Sequence, residues 1–383
     1  MIVEGDTELV VPAQGEPTKY PSFFNPDGKF VRDISIICYR AFASSSPNTR
    51  SDLIFADSLA GTGARGVRVA KEVPQFSKVC INDISSTSLE LAKKSALRNG
   101  VENRCLFSKE EATSFLSTRK QINGERFDVV DVDPFGTPSP FVDCALRATK
   151  HNGVISVSAT DTAVLCGVYP GVALRKYLGM PIRTDYSHEV GMRLIFGLLA
   201  LTAMRFETSI SPLFCHHDMH YFRAYCKLEI GNRYSIENEK QIGFVSHCFK
   251  CGYRRTVSHQ EFFSSKALSE RNKLWNCPDC GENSQMRFAG PLWIGKIQSS
   301  EFVEQCSKLF ESPLFESELD IPLYYDLTDI SDGMGVRTPK ISVVISELRS
   351  AGHSASRTRL NPNAVRTDAP LQELRKILAL HSR

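Results

Sequence analysis

Between residues 52 and 160 one pattern keeps returning: a short apolar run, a turn rich in acids or glycines, a helix-like stretch, and another apolar run. The runs are "LIFAD" (53–57), "KVCIN" (78–82), "CLF" (105–107), "FDVVDV" (127–132) and "GVISVSA" (153–159). Runs this short suit parallel strands buried on both faces under covering helices. Between two of them lies "SSTSLELAKKSALRNG" (85–100), which reads as a helix. Serines cap its start, Leu89, Ala92 and Leu97 face inward, and a glycine follows its end. The alternation predicts an α/β fold with an open, doubly wound, Rossmann-like sheet. Residues 185–206 are long and apolar enough for a helix lying on that sheet. "HYFRAYCKLEI" (220–230) alternates, with Phe222, Ala224, Cys226, Leu228 and Ile230 on one face, as an antiparallel closing strand would.

Open sheets of this kind bind ligands at the carboxyl ends of their strands. "FADSLAGTGARG" (55–66) follows the first strand and opens a helix, and Gly61, Gly63 and Gly66 let backbone approach a ligand. Many tight turns look like such a loop. What singles this one out is Asp83 after the second strand, twenty residues beyond Gly63, whose carboxylate suits two ribose hydroxyls. No GK[ST] follows, so the loop is not a P-loop. Asp57, directly before it, suits S-adenosylmethionine, whose ammonium needs an anionic neighbour and which has no phosphates to cradle.

"DVDPFGTP" (131–138) ends the fourth strand. Asp-Pro and Phe-Gly are ordinary turn formers. At this edge they can also do chemistry: the Asp133 carboxylate and the Pro134 carbonyl can accept hydrogen bonds from an exocyclic amino group. That draws its nitrogen out of conjugation with the ring, and Phe135 can stack on the base. Asp131, two residues earlier, shares the face of Asp133 but should lie deeper.

The character of the chain changes after Gly231, and a boundary near residue 235 separates residues 1–235 from 236–383. "CFKC" (Cys248, Cys251) and "CPDC" (Cys277, Cys280) are two CxxC knuckles at a spacing that suits a closed, tetrahedral, structural zinc. Their presence among twelve cysteines in a chain of 383 residues fits a reducing compartment, the cytoplasm, better than a disulfide scaffold. "TPKISVVISELRSAG" (338–352) predicts a helix with Thr338 as its cap and Pro339 first. "HSASRTRLNPNAVR" (353–366) follows in a layout like a winged helix. It holds Arg357, Arg359 and Arg366 and no acid, so these three are expected to meet phosphate.

The whole chain is only +3, yet residues 331–383 hold nine Lys/Arg against four acids, a balance of +5. That is a local electrostatic footprint for nucleic acid. The longest apolar run, Leu194–Met204, is well short of the ~20 residues a bilayer span needs. Glu4, Asp6 and Glu8 do not fit a signal peptide. His188 and Glu189, at the head of the long helix, read as structural. Nothing in the sequence calls for an obligate protein partner.

In their order, "FFNPDGKFVRD", "LAGTGARG", "NDIS", "DVDPFGTP", "HEVGMR", the two knuckles and "RTRLNPNAVRT" resemble the tRNA (guanine-26-N2)-dimethyltransferase family over nearly the whole chain. The resemblance implies a class I methyltransferase domain with a smaller C-terminal α+β, zinc-containing, RNA-binding domain. It implies that methyl groups pass from S-adenosylmethionine to N2 of a guanine at the tRNA hinge. It also implies that Arg32, Arg65, Asp83, Glu111 and Ala112 contact the cofactor and that Asp133 is catalytic. Two positions depart from the family's habit: Glu111-Ala112 stands where Asp-Ala is usual, and Val31 precedes Arg32 where a polar residue is usual. Because the target base is stacked inside tRNA, Phe23, Phe24 and Phe135 are candidates to receive it once extracted. Two other readings compete. An adenine-N6-type methyltransferase of rRNA or DNA would carry a Pro-Pro-Tyr type tetrapeptide in place of Pro-Phe-Gly. A non-catalytic zinc-ribbon RNA binder would have no use for Asp57, Gly63, Asp83 and Asp133 together.

Overall fold

A hairpin opens the chain: β1 (Ile2–Glu4) and β2 (Thr7–Leu9) pair antiparallel, with Gly5 at φ 55° in the turn. The apolar runs then form β3 (Leu53–Asp57), β4 (Phe76–Asn82), β5 (Cys105–Ser108), β6 (Phe127–Val132) and β7 (Thr149–Ala159). The computed structural model describes residues 1–12, 22, 24–45, 52–263, 274–315 and 318–381. Two strands start earlier than the apolar runs suggest. The first residues of β7 are Thr149, Lys150, His151 and Asn152, polar and therefore invisible to a reading by apolar runs.

The described chain forms two compact units that interleave along the sequence. Residues Met1–Ala159, Tyr225–Ile230 and Ser300–Phe315 make the first; Thr160–Ala224, Gly231–Ser299 and Glu316–Arg383 make the second. One change of unit falls at Ile230/Gly231. The change after Ala159 and the return of residues 300–315 to the first unit carry no compositional mark. That return is a packing event: the helix Ser300–Leu309 lies against the helix Lys29–Ser45, and Ser45 Oγ donates to Gln305 Oε1 at 2.8 Å.

In the first unit the strands run in the order β5-β4-β3-β6-β7, followed by the Tyr225–Ile230 part of β9 (Tyr221–Ile230). The pairs from β5 through β7 are all parallel. Every residue of β3 and β6 is buried. The chain leaves β3 toward β4 on one side and later returns to its other side as β6. The point between β3 and β6 is therefore the topological switch where such sheets open a ligand crevice. Asp57 and Asp131 are register partners there. Below them Tyr39, Phe55 and Phe76 pack edge to face, with centroids 5.0 and 5.5 Å apart, and all three are fully buried. Each such side chain contributes roughly 1.5–3 kcal/mol by burial.

The second unit is built around the helix Ser187–Met204, which is buried on nearly all sides, as its unbroken apolar character demands. It packs on β8 (Thr208–Asp218) and on β12 (Met286–Trp293). β10 (Ile242–Cys248) pairs antiparallel with both β12 and β11 (Arg254–Ser258). The remainder gathers the helices Leu327–Met334, Ile341–Ser350 and Leu371–Leu380 around an apolar cluster that includes Val344, Leu348, Val365 and Leu374. With it goes a small sheet in which β15 (Asn361–Thr367) lies between β13 (Tyr325–Asp326) and β14 (Ala355–Thr358). A helix followed by a strand hairpin matches the expected winged-helix layout. The helix begins at Ile341 with Lys340 in the capping position, later than the Thr338 cap read from sequence. β9 also differs from expectation: Arg223 and Tyr225 are as buried as the alternate apolar positions, so neither face of the strand meets water there.

Candidate active site and cysteine cluster

Four strand ends of the first unit carry the residues singled out by sequence. Asp57 closes β3. It is buried, and its Oδ2 accepts the Gly66 N–H at 2.9 Å. Burial pushes its carboxyl up from 3.8 to about 7, and Asp131 adds to the rise; Arg65 and the Gly66 N–H oppose it. The loop that follows is tied to both neighbouring strands. Ser58 donates through N–H and Oγ to the Asp131 carbonyl, and the Ala60 N–H reaches the Asn82 carbonyl. Gly63 sits at φ 73°, and a Cβ there would stand 2.5 Å from Ala92 Cβ, so this glycine serves the close approach of helix and loop. Gly61 donates its N–H to Asp83 Oδ2 at 2.8 Å, and Ser85 donates to Oδ1 at 2.8 Å. Two backbone amides thus hold the Asp83 carboxylate still, and lone pairs on both oxygens remain for hydroxyl donors. Beside it Ile84 is 70% exposed, an apolar side chain that sequence reading passed over.

Glu111 and Ala112 follow β5. Glu111 is the N-cap of the helix Ala112–Thr118: its carboxylate accepts the N–H groups of Thr113 at 2.9 Å and Ser114 at 3.1 Å. Ala112, the first helical residue, is buried. Arg32 faces away from solvent in a two-pronged ion pair with the buried Glu4, Nε to Oε2 at 2.8 Å and Nη2 to Oε1 at 2.6 Å, and its guanidinium lies 4.8 Å from the Phe24 ring centre. Phe23, named with Phe24 as a base acceptor, lies outside the described residues.

The end of β6 holds the densest chemistry. Asp131 is fully buried. It accepts from the Tyr39 hydroxyl in a short hydrogen bond, from Ser156 Oγ at 3.2 Å and from Arg65 Nη1 at 3.0 Å. The same Arg65 nitrogen lies 2.7 Å from Asp133 Oδ2. Arg65, expected from the resemblance to touch a cofactor, is here the cation between two aspartates. Asp131 is indeed the deeper of the pair, while the Asp133 side chain is one-third exposed. Pro134 is buried and Phe135 stands 77% exposed. The arrangement offers an anchored anion, a turn carbonyl and an open aromatic face in three consecutive residues. Sequence reading missed Tyr39 and Ser156. No motif marks them, and only the pairing of β6 and β7 with the helix Lys29–Ser45 brings them to Asp131.

In the second unit the sulfurs of Cys248, Cys251, Cys277 and Cys280 all lie within 4.8 Å of one another, with Cys248–Cys280 at 3.7 Å and Cys251–Cys277 at 3.4 Å. A tetrahedral ion with metal–sulfur bonds of about 2.3 Å requires edges of about 3.8 Å, so the thiols fit zinc. Each knuckle is closed by a glycine at positive φ, Gly252 and Gly281, whose N–H groups return to the Cys248 and Cys277 carbonyls.

The three arginines of the tail part company. Arg357 is exposed. Arg366 is only 2% exposed and is shared between Glu189, at 2.7 Å, and Glu318. Arg359 lies against Glu318 at 3.4 Å and over the Phe214 ring. The expectation that no acid neutralises these arginines therefore fails for two of them, because the partners come from distant parts of the sequence. Glu189 is structural, as read. Fully buried, it also binds Arg193 and takes the N–H groups of Leu323 and Tyr324. His188 stacks on His217 at 3.9 Å.

Residues 5–379 match the family model described as N2,N2-dimethylguanosine tRNA methyltransferase. The tRNA (guanine(26)-N(2))-dimethyltransferase of Methanosarcina mazei is 35% identical over 98% of this chain and 97% of its own. Its counterpart from Methanothermobacter thermautotrophicus is 34% identical over the same shares. Among solved structures, Trm1 from Pyrococcus horikoshii, in complex with S-adenosyl-L-methionine, aligns with a TM-score of 0.82 at 29% identity, over 98% of this chain and 99% of that one.

Proposed function

The chain belongs to the N2,N2-dimethylguanosine tRNA methyltransferase family, and on that footing we propose that it transfers two methyl groups from S-adenosylmethionine to N2 of guanine 26 of tRNA. The observation that carries this reading is the Asp133 carboxylate, held by Arg65 at the end of β6 and open to one side, with Pro134 and Phe135 beside it.

When bound, S-adenosylmethionine supplies an electrophilic methyl group on a sulfonium. Asp57 suits its ammonium, and Asp83, with Ile84 alongside, suits the ribose diol and the adenine face. Phe135 and Phe24 receive the extracted base. The guanine amino group has no strongly basic lone pair, so Asp133 and the Pro134 carbonyl accept its two N–H bonds and turn the lone pair toward the methyl carbon. As the new C–N bond forms and the C–S bond breaks, an N2 proton becomes acidic and passes to Asp133 or to water. One N–H survives the first transfer and supports a second. None survives the second, and the reaction ends there.

Cys248, Cys251, Cys277 and Cys280 hold one zinc. Four thiolates leave it no open position, so its role is structural. Four of the twelve cysteines gathered as CxxC pairs suit a reducing, cytoplasmic setting. Among the described residues no helix is long and apolar enough to cross a membrane. Functionally, residues 1–235 carry the methyl transfer and receive the target base, and 236–383 carry the zinc and the tRNA-binding domain. The test is nucleoside mass analysis of tRNA transcripts with guanine or adenine at position 26, after incubation with protein and methyl donor. Dimethylguanosine from the first alone is expected. Methyladenosine, or binding without any methyl transfer, overturns the proposal.

A further inference from the structure

Two features of the second unit remain unused: a groove of about 580 Å³ between the helix Ile341–Ser350 and β14, and an exposed arginine without a carboxylate. The groove is lined by Ser342, Ser346, Ser350 and Arg349 from the helix and by Ser356 and Arg357 from the strand. The three helix serines are spaced four apart and so stand along one edge for about 12 Å. Among the described residues no ion pair engages Arg349 or Arg357. The nearby acids are turned to other partners: Glu347 to His381 at 3.5 Å, Asp368 to His353 at 3.4 Å, and Glu318 to Arg359 and Arg366. Arg349 donates Nε and Nη2 to the Ala355 carbonyl at 3.1 and 2.7 Å, which fixes its position without cancelling its charge.

We propose that this groove is a phosphate-backbone site for the tRNA substrate, with Arg349 and Arg357 as its cations and the helix serines as hydroxyl donors. The inference rests on tRNA being the substrate and says which surface holds it. The lining suits the backbone better than the bases. The lining has no aromatic ring to stack on and a single apolar side chain, Ile345, whereas paired guanidinium groups with hydroxyls match the oxygens of a sugar–phosphate strand. A 12 Å edge is longer than one phosphate group, so it engages a length of strand and sets its register. The assignment moves the footprint read from sequence: Arg357 stays, Arg349 joins, and Arg359 and Arg366 leave because carboxylates already neutralise them.

The test is tRNA binding by the full chain across a salt series, for wild type, Arg349→Gln, Arg357→Gln, the double variant and Ser346→Glu. Lys376→Gln, which removes an exposed cation outside the groove, is the control. Each arginine removed should lower the slope of log affinity against log salt by about 0.7–0.9, and the double variant by about twice that. Ser346→Glu should weaken binding at low salt, and Lys376→Gln should change neither. The altered side chains are exposed, and unchanged melting temperatures verify folding. If wild type binds and methylates tRNA while the double variant keeps the full slope, the groove is wrong and the functional reading stands. If wild type neither binds nor methylates tRNA, the functional reading fails and the groove falls with it.

Discussion

Asp57 gives the most quantitative handle on the proposed methyl-donor site. Its carboxyl is raised from 3.8 to about 7, first by burial and next by Asp131. A rise of that size corresponds to about 4 kcal/mol, to order of magnitude, against the charged form in the ligand-free protein. A cationic ligand beside Asp57 recovers part of this by favouring the ionised form. Donor affinity should therefore climb with pH, by up to about tenfold per pH unit below 7. Folding should respond in the opposite sense. Between pH 4 and 7 the unfolded chain gives up this proton while the folded chain keeps it, so Asp57 makes the ligand-free protein steadily less stable over that window. Asp57→Asn retains an acceptor for the Gly66 N–H but cannot ionise. It should bind S-adenosylmethionine weakly with a flat pH profile, and should lack the part of the stability loss between pH 4 and 7 that Asp57 causes. Calorimetric titration from pH 5.5 to 7, with thermal melts from pH 4 to 8, reads both. A flat wild-type affinity, or an Asn variant that keeps the wild-type slope, would refute the reasoning.

Asp133→Ala should lower single-turnover methylation by about 10²–10³-fold while both ligands still bind; loss of tRNA binding instead would make the stretch a structural turn. Chelation should remove about one zinc per chain and loosen the second unit, seen as a lower melting temperature and weaker tRNA binding. Metal-free protein with unaltered fold and activity would exclude the zinc site. Glu189→Ala leaves Arg193 and Arg366 buried without their shared anion and should cost about 3–5 kcal/mol in denaturant unfolding, toward the low end because Glu318 still meets Arg366. Despite burial, those two arginines bring the Glu189 carboxyl down from 4.5 to about 2, so its contribution is present above pH 4.5 and is lost as pH falls toward 2.

What sequence could reveal divides along a physical line. β3 and β6 lie where the apolar runs put them, and the four cysteines meet, because strand burial and CxxC spacing are local properties of the chain. Partnership is not local. Arg366 reaches Glu189 across 177 positions, and Arg32 reaches Glu4 across 28, so two arginines that look free in sequence are buried ion-pair partners in space. Arg65 shows the same limit at the site itself. The family resemblance marked it as a cofactor contact, but nothing in the loop says that Asp131, 66 residues later, and Asp133 just beyond it would claim it. The interleaved units escaped notice for a related reason. Residues 300–309 form an ordinary amphipathic helix, and amphipathicity reports that a face is buried, not which element buries it.

The three aspartates around that arginine explain why one of them is strained. Asp131 and Asp133 both add to the rise of the Asp57 carboxyl, and Arg65, paired with both of them, opposes it. Asp131 has the Tyr39 and Ser156 hydroxyls as well, and Asp133 is one-third exposed. Asp57, buried with one backbone N–H, takes the shortfall and rises toward neutrality. A carboxyl raised in this way favours a cationic ligand beside it. A donor bearing an ammonium and a sulfonium supplies positive charge there, and a neutral analogue does not. Replacing the sulfonium by the neutral thioether of the demethylated product removes one of those charges while leaving the ammonium near Asp57. Product should consequently keep the pH dependence set by Asp57 but gain less from the Asp131–Arg65–Asp133 cluster, which favours its release after each transfer.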